Sequence, residues 1–335
     1  MSIARVTPDQ YDAADTGPVV PGAGPSDAAA AEAPAEAVRR VAADAAREDG
    51  RSPLNEATLL SLRRGGLRDK ALWVARDDAG AVTGFALAAP SDDSGRVDLN
   101  LVVAPRSRGA GVGQALAQEV LAAYPSSPIS AWSHGNHPAA ARLAAALGFD
   151  RVRDLWVMRR PLTDDEPLPP VTPAAGVVVR TFRRGQDEEA FLAINAEAFA
   201  DHPEQGNMSR DDLEQRMDEP WFDPEGLFLA EPADAPPNEA NDFIDSPSLL
   251  GFHWTKVHDD RVGEVYVVGV SPYAQGRGLG RTLTLTGLHH LRDRGLAEVI
   301  LYVEADNAPA IAVYSGLGFT HADADTDVQY ARGLG

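Results

Sequence analysis

Cysteine is absent from the 335 residues, which excludes disulfide frameworks, thiolate nucleophiles and cysteine-bound zinc together. Lysine is nearly absent: Lys70 and Lys256 stand alone among arginines, a bias that suggests a GC-rich genome. Positive charge as a whole is short, 30 Lys and Arg against 50 Asp and Glu, for a formal net charge of -20. Phosphate backbones and anionic lipid repel such a chain, so neither nucleic acid nor a membrane surface is an expected partner, and any anionic ligand has to be held by local groups. No apolar run approaches the roughly 20 residues that span a bilayer. Met1-Ser2-Ile3-Ala4-Arg5 opens without the apolar stretch of a signal peptide, so the expected compartment is the cytoplasm. His134, His137, His202, His253 and His258 form no i, i+4 pair and read as scattered polar or packing residues, so no metal is expected.

At roughly 100–200 residues per domain, the length predicts two domains. The stretch 12–37 is rich in Ala, Pro and Gly and reads as a flexible insertion, with a helix recovering near Ala35 to Arg47. From Leu72 short β-rich runs divided by Asp, Gly and Ser predict a meander. The Gly-rich turn Arg108 to Gly113 leads into an amphipathic helix from Gln114 to Tyr124, and a strand, a helix and a closing strand follow. Pro161 to Gly176 carries five prolines and reads as a linker, giving an N-terminal domain over 1–160 and a C-terminal one over 177–335. Beyond it the programme repeats. Val103-Ala104-Pro105 and the turn ending in Gly113 match Val270-Ser271-Pro272 and the turn ending in Gly280 at an offset of 167. Leu147-Gly148-Phe149 matches Leu317-Gly318-Phe319 at an offset of 170. The chain therefore reads as two copies of one α/β unit of mixed α+β sheet type.

A strand ending in Pro, a turn with alternate glycines and then a helix is a recipe for binding pyrophosphate. The first helical amides lack intrahelical partners, the dipole is positive there, and glycine admits the phosphate to the backbone. Arg277 and Arg281 add charge. The Rossmann spacing and the Lys-Ser/Thr of a triphosphate loop are both missing. Gln275-Gly276-Arg277-Gly278-Leu279-Gly280 after a meander instead resembles the acyl-CoA loop of the GNAT N-acetyltransferases. Asn307, Tyr314 and Leu317-Gly318-Phe319 resemble that family downstream. The resemblance covers both halves and implies two tandem GNAT folds with acetyl-CoA as the acyl-donor cosubstrate.

Acetyl transfer to an amine needs a base, an oxyanion partner and an acid. The resemblance implies that backbone around Gly269-Val270 faces the thioester oxygen, that Tyr314 is the acid and that Glu264, on the same strand, is the base. Two-residue periodicity places Val270, Val268, Tyr266 and Glu264 on one face. At the repeat offsets the first-half counterparts of Glu264, Tyr314 and Asn307 are Val97, Ala144 and His137, so the first half reads as binding without turnover.

Asn195 to Gly206, Gly251 to His258, Gly263 to Val270 and Leu301 to Asn307 further resemble the mycothiol synthase family of tandem GNAT enzymes of actinobacteria. That family acetylates the cysteinyl amine of cysteinyl-glucosaminyl-inositol. The resemblance implies that Glu56, Glu204, Lys256, Glu264 and Tyr302 face this pseudo-disaccharide thiol acceptor. It implies that Val268-Gly269-Val270, Gln275 to Arg281 and Asn307-Ala308-Pro309-Ala310-Ile311-Ala312 hold acetyl-CoA. Leu101-Val102-Val103 and Ser107-Arg108-Gly109-Ala110-Gly111-Val112-Gly113 would form a second CoA site. Fixed carboxylates and an ammonium suit a polyol rich in hydroxyls. Two other readings stay open: a GNAT enzyme acting on an aminoglycoside or peptide α-amine, and a non-catalytic acyl-CoA sensor. A monomer is expected.

Overall fold

The computed structural model describes residues 1–12, 32–91, 95–200, 203–234 and 249–333. They form two compact units, Met1–Leu155 with Asp323–Gly335 and Trp156–Ala322. Most of the expected insertion, 13–31, lies outside the described residues.

The first unit opens with β1 (Ser2–Val6), α1 (Pro8–Asp12), α2 (Pro34–Asp49) and α3 (Glu56–Gly65). Helix α2 starts at the end of the stretch read as insertion, because Pro34 fits the first helical turn, and it stops at Gly50, whose φ of 72 a side chain would resist. It buries Val38, Val41 and Ala45 on one stripe. β2 (Ala71–Arg76), β3 (Val82–Pro90) and β4 (Val97–Val103) make the antiparallel meander, followed by α4 (Val112–Ala123), β5 (Ile129–Ser133), α5 (Pro138–Ala146) and β6 (Asp150–Pro161). β4 pairs in parallel with β5 over Val97 to Leu99, and the pairing stops there.

The second unit repeats this order with β7 (Val177–Thr181), α6 (Glu188–Ala198), α7 (Pro203–Gly206), α8 (Arg210–Met217), β8 (Leu227–Pro232), β9 (Gly251–Val257) and β10 (Val262–Val270). α9 (Leu279–Asp293), β11 (Glu298–Glu304) and α10 (Ala308–Ser315) follow, and β12 (Thr320–Arg332) ends the order, passing into the first unit from Asp323. Alternation along β9 assigns its two faces. Phe252 and Trp254 pack with Phe191 of α6 and Leu213 of α8, whereas His253 donates from Nδ1 to the Leu283 carbonyl of α9 at 2.7 Å.

The units divide between Leu155 and Trp156, inside β6 and ahead of the proline-rich segment. That segment is tied down within the second unit. Leu168 is buried in its core, the Thr172 carbonyl accepts from Thr282 Oγ1 at 2.8 Å, and the Pro169 carbonyl lies 2.8 Å from His289 Nε2. The last strand crosses back: Val328 to Arg332 of β12 pair antiparallel with β5 of the first unit. Proline content marks a segment that makes few ladder bonds, which is not the same as a boundary.

Candidate active site

β10 runs parallel to β11 only from Val262 to Val265, against Glu298 to Leu301. Among the described residues the parallel ladder with β11 ends at Val265, and the Val268 to Val270 segment lies beyond it, where a ligand can reach backbone N–H groups. On its other edge β10 pairs with β9 through a bulge between Val265 and Val267. The extra residue reverses the alternation, so Val268 and Val270 leave the expected common face with Glu264, whereas Tyr266 keeps it, its ring against Trp254 and the Lys256 ammonium. Glu264 shares its face with Val267 and Gly269, opposite Lys256 and Trp254 in register. Across the parallel pair Glu264 stands beside Ile300, so Tyr302, two residues on, projects to the same face. Glu264, Lys256 and Tyr302 thus come to one face from three adjacent strands.

Glu264 is 5% exposed, and its Oε2 lies 2.6 Å from His258 Nε2. Lys256 is buried with Nζ 4.5 Å from the Trp221 ring centroid and 5.1 Å from that of Tyr266, a cation–π arrangement. Arg216 Nε donates to the Tyr266 hydroxyl at 3.0 Å. Tyr302 is half-exposed. Glu204 lies on α7, whose Gln205 carbonyl accepts from the buried Asn195 amide at 2.7 Å; the Glu204 side chain lies outside what is described. Glu56 is the first residue of α3, capped by Asn55, in the first unit. His258, which the sequence presents as one of several scattered histidines, makes this contact from the turn leading into the Glu264 strand.

Tyr314, Ala310 and Ile311 of α10 pack on the same core cluster as Val268 of β10. The Tyr314 ring meets Phe319 edge-on at 5.9 Å, and burial pushes its phenol up to about 12. Asn307 caps α10, accepting from Ala310 N at 3.1 Å.

Between β10 and α9 the chain turns through Pro272–Ala274 and then Gly276 and Gly278, with φ of 75 and 79. A Cβ on either glycine would meet nothing within 4 Å, so the left-handed backbone, not crowding, requires them. Gly278 offers α9 no side-chain cap, leaving its first amides to an anion. Arg277 and Arg281 are exposed beside it. This donor set fits a CoA pyrophosphate.

In the first unit Gly111 (φ 81) opens α4 in the same uncapped way. A cavity of about 490 Å³ is lined by Leu101, Val102, Val103, Ser107, Arg108, Gly109, Gly111, Val112 and Gly113, and by Trp132, His134 and His137. Arg108 is held there by a bidentate pair with Asp49, 2.7 Å at each oxygen. The register revises one counterpart. Counting back from Gly84 opposite Val103 and from Gly251 opposite Val270, equal steps reach Ala89 opposite Asp98 and Lys256 opposite Glu264. β4 lacks the bulge, so the counterpart of Glu264 is Asp98, a carboxylate bonded by Ser130 Oγ, and not Val97. Ala144, on the first unit's last helix, still supplies no acid. Among the described residues no group of His, Asp and Glu could hold a metal ion.

A splayed parallel pair beside a meander, with an uncapped Gly-rich helix start, defines the GNAT class, acetyltransferases that draw on acetyl-CoA. Family models for the acetyltransferase (GNAT) family and the acetyltransferase (GNAT) domain match residues 192–319 and 68–151. Among solved structures the chain resembles a GCN5-related N-acetyltransferase from Sphaerobacter thermophilus, with TM-score 0.64 and 25% identity over 90% of this chain and 94% of that one. A tandem GNAT protein from the clavulanic acid biosynthesis pathway shares the fold, with TM-score 0.62 and 23% identity over 84% and 88% of the two chains. The mycothiol acetyltransferase of Nocardioides sp. is 52% identical over 308 residues, covering 88% of this chain and 97% of its own. That of Catenulispora acidiphila is 49% identical over 315 residues, covering 89% and 96%. The chain belongs to the mycothiol acetyltransferase family, and it is an acetyl-CoA-dependent acetyltransferase.

Proposed function

We propose that the chain completes mycothiol by acetylating the cysteinyl amine of cysteinyl-glucosaminyl-inositol, with turnover in the second unit. The observation that carries the reading is the common face of Glu264, Lys256 and Tyr302: a carboxylate, an ammonium and a phenol offer the mixed acceptors and donors that a polyol amine needs. Glu264 takes the proton from the incoming ammonium. Backbone N–H groups of the Val268 to Val270 segment on the β11 side receive the oxyanion. Tyr314, neutral because its phenol is buried, gives its proton to the leaving thiolate. The family resemblance assigns Glu56 and Glu204 to the acceptor as well, and Asn307 to Ala312 with Gln275 to Arg281 bind CoA. Acetyl-CoA supplies the activated acyl group.

The first unit binds a second CoA along Leu101 to Val103 and Ser107 to Gly113 without turning it over, since Ala144 stands where Tyr314 would. The protein works as a cytoplasmic monomer without nucleic-acid partners, a reading supported by its cysteine-free, acidic composition. The test is incubation with acetyl-CoA and cysteinyl-glucosaminyl-inositol, following free CoA and product mass. CoA release with aminoglycoside or peptide amines but not with this acceptor overturns the assignment. CoA binding with no release for any amine means a sensor.

A further inference from the structure

Acetylating an ammonium releases one proton per turnover: nitrogen enters with three hydrogens, keeps one in the amide, and the thiolate takes one. If Glu264 is the base, as the reading above has it, that proton starts on a side chain only 7% exposed. Among the described residues the hydrogen-bond partner of its carboxylate is His258, with Nε2 2.6 Å from Oε2. The His258 side chain is 35% exposed, so it touches both the buried carboxylate and water. Its backbone is fixed. His258 N donates to the Val262 carbonyl at 2.9 Å, and Asp259 Oδ1 accepts from the amides of Arg261 and Val262 at 2.8 Å each, closing the turn between β9 and β10.

We propose that His258 is the proton outlet of Glu264, a positioning residue that acts through the base and not on the acceptor. The proton on Oε2 passes to Nε2 as the proton on Nδ1 passes to water, and the carboxylate is restored. The ring reaches its Nδ1–H form by exchange with solvent while the carboxyl is protonated, and the transfer leaves Nε2–H donating to the restored carboxylate. No bond to carbon changes and no electrons move, so the sum of the steps is the one proton the reaction must shed.

A histidine that merely orients Glu264 would be replaced by any donor at the same place, whereas an outlet must also accept a proton. Glutamine can do the first and not the second. His258→Gln and His258→Ala are therefore measured across a range of imidazole concentrations, with CoA binding followed calorimetrically as a check on folding. Both are expected to lower kcat by about tenfold or more while leaving the KM for acetyl-CoA unchanged. Imidazole should restore kcat in His258→Ala in proportion to its concentration and leave the unaltered enzyme unaffected. Full activity of His258→Gln at low buffer, or indifference of His258→Ala to imidazole, overturns the proposal. Glu264→Gln is run alongside. Full activity there removes the base itself, whereas an inactive Glu264→Gln beside active His258 variants removes only the outlet.

Discussion

The proposed base Glu264 and the proposed acid Tyr314 sit in different surroundings, a buried contact with His258 for the first and an apolar cluster for the second. Burial in an apolar cluster pushes the Tyr314 phenol up to about 12, so it stays protonated through the whole working range. The alkaline side of the kcat profile should accordingly be flat to pH 10, and Tyr314→Phe should lower kcat by about 100-fold at every pH in that range. A descending limb near pH 10 that disappears in Tyr314→Phe would contradict the assignment. Glu264→Gln should cost about 100-fold or more in kcat with little change in the KM for acetyl-CoA, because the proposed base meets the amine and not the donor. The places of these two residues, on the strand before the Gly-rich turn and on the last helix of the second unit, were legible from the motifs beside them, and their proposed roles come from the family resemblance. The contact of His258 was not legible, since a hydrogen bond across a turn leaves no periodic trace.

The bulge in β10 is the element that the sequence concealed. Period-two reasoning assumes an uninterrupted ladder, and one inserted residue between Val265 and Val267 reverses the faces upstream of it. The same residue misaligned the two halves, which is why Val97 was matched to Glu264 where the register gives Asp98. The packing of α9 on β9 carries a stability prediction. His253 is fully buried with Nε2 unpartnered, and desolvation lowers its pKa from 6.5 to about 4. Between those values the unfolded chain binds the proton and the folded one does not, so stability falls as pH drops through that window. The loss from this one group is about 3 kcal/mol. Thermal melts from pH 7 to 4 should therefore fall less steeply in His253→Gln than in the unaltered protein, and parallel curves would refute the effect. Facing that ring, a Cβ on Gly287 of α9 would come within 2.1 Å of His253 Cε1. Gly287→Ala should thus destabilise by about 1–3 kcal/mol in chemical denaturation, although helix propensity alone favours alanine. A gain in stability would mean that α9 shifts freely on β9.

At the scale of the whole chain, the repeat and the fold it implies could be read from two matched blocks, but the assignment of strands to units could not, because strand pairing joins residues far apart in sequence. Asp323–Gly335 belongs to the first unit, where Val328 and Tyr330 pack with Ile129 and Phe149 and the strand covers the edge of β5. Cutting at the proline-rich segment would therefore take from the first unit a core strand and expose the backbone groups of β5. A fragment of residues 1–160 is expected not to fold cooperatively, lacking near-UV circular dichroism and a sigmoidal urea transition, whereas the same fragment co-expressed with residues 161–335 should recover both. The argument depends on burial: Val328 is wholly inaccessible and Tyr330 is 9% exposed, so losing both leaves a cavity in the cluster that also holds Leu116 and Val120 of α4. The uncapped helix start at Gly111 rests on that cluster, so CoA binding by the first unit should fall with it. A fragment of residues 1–160 that melts cooperatively and still binds CoA would show that the first unit is complete without its borrowed strand.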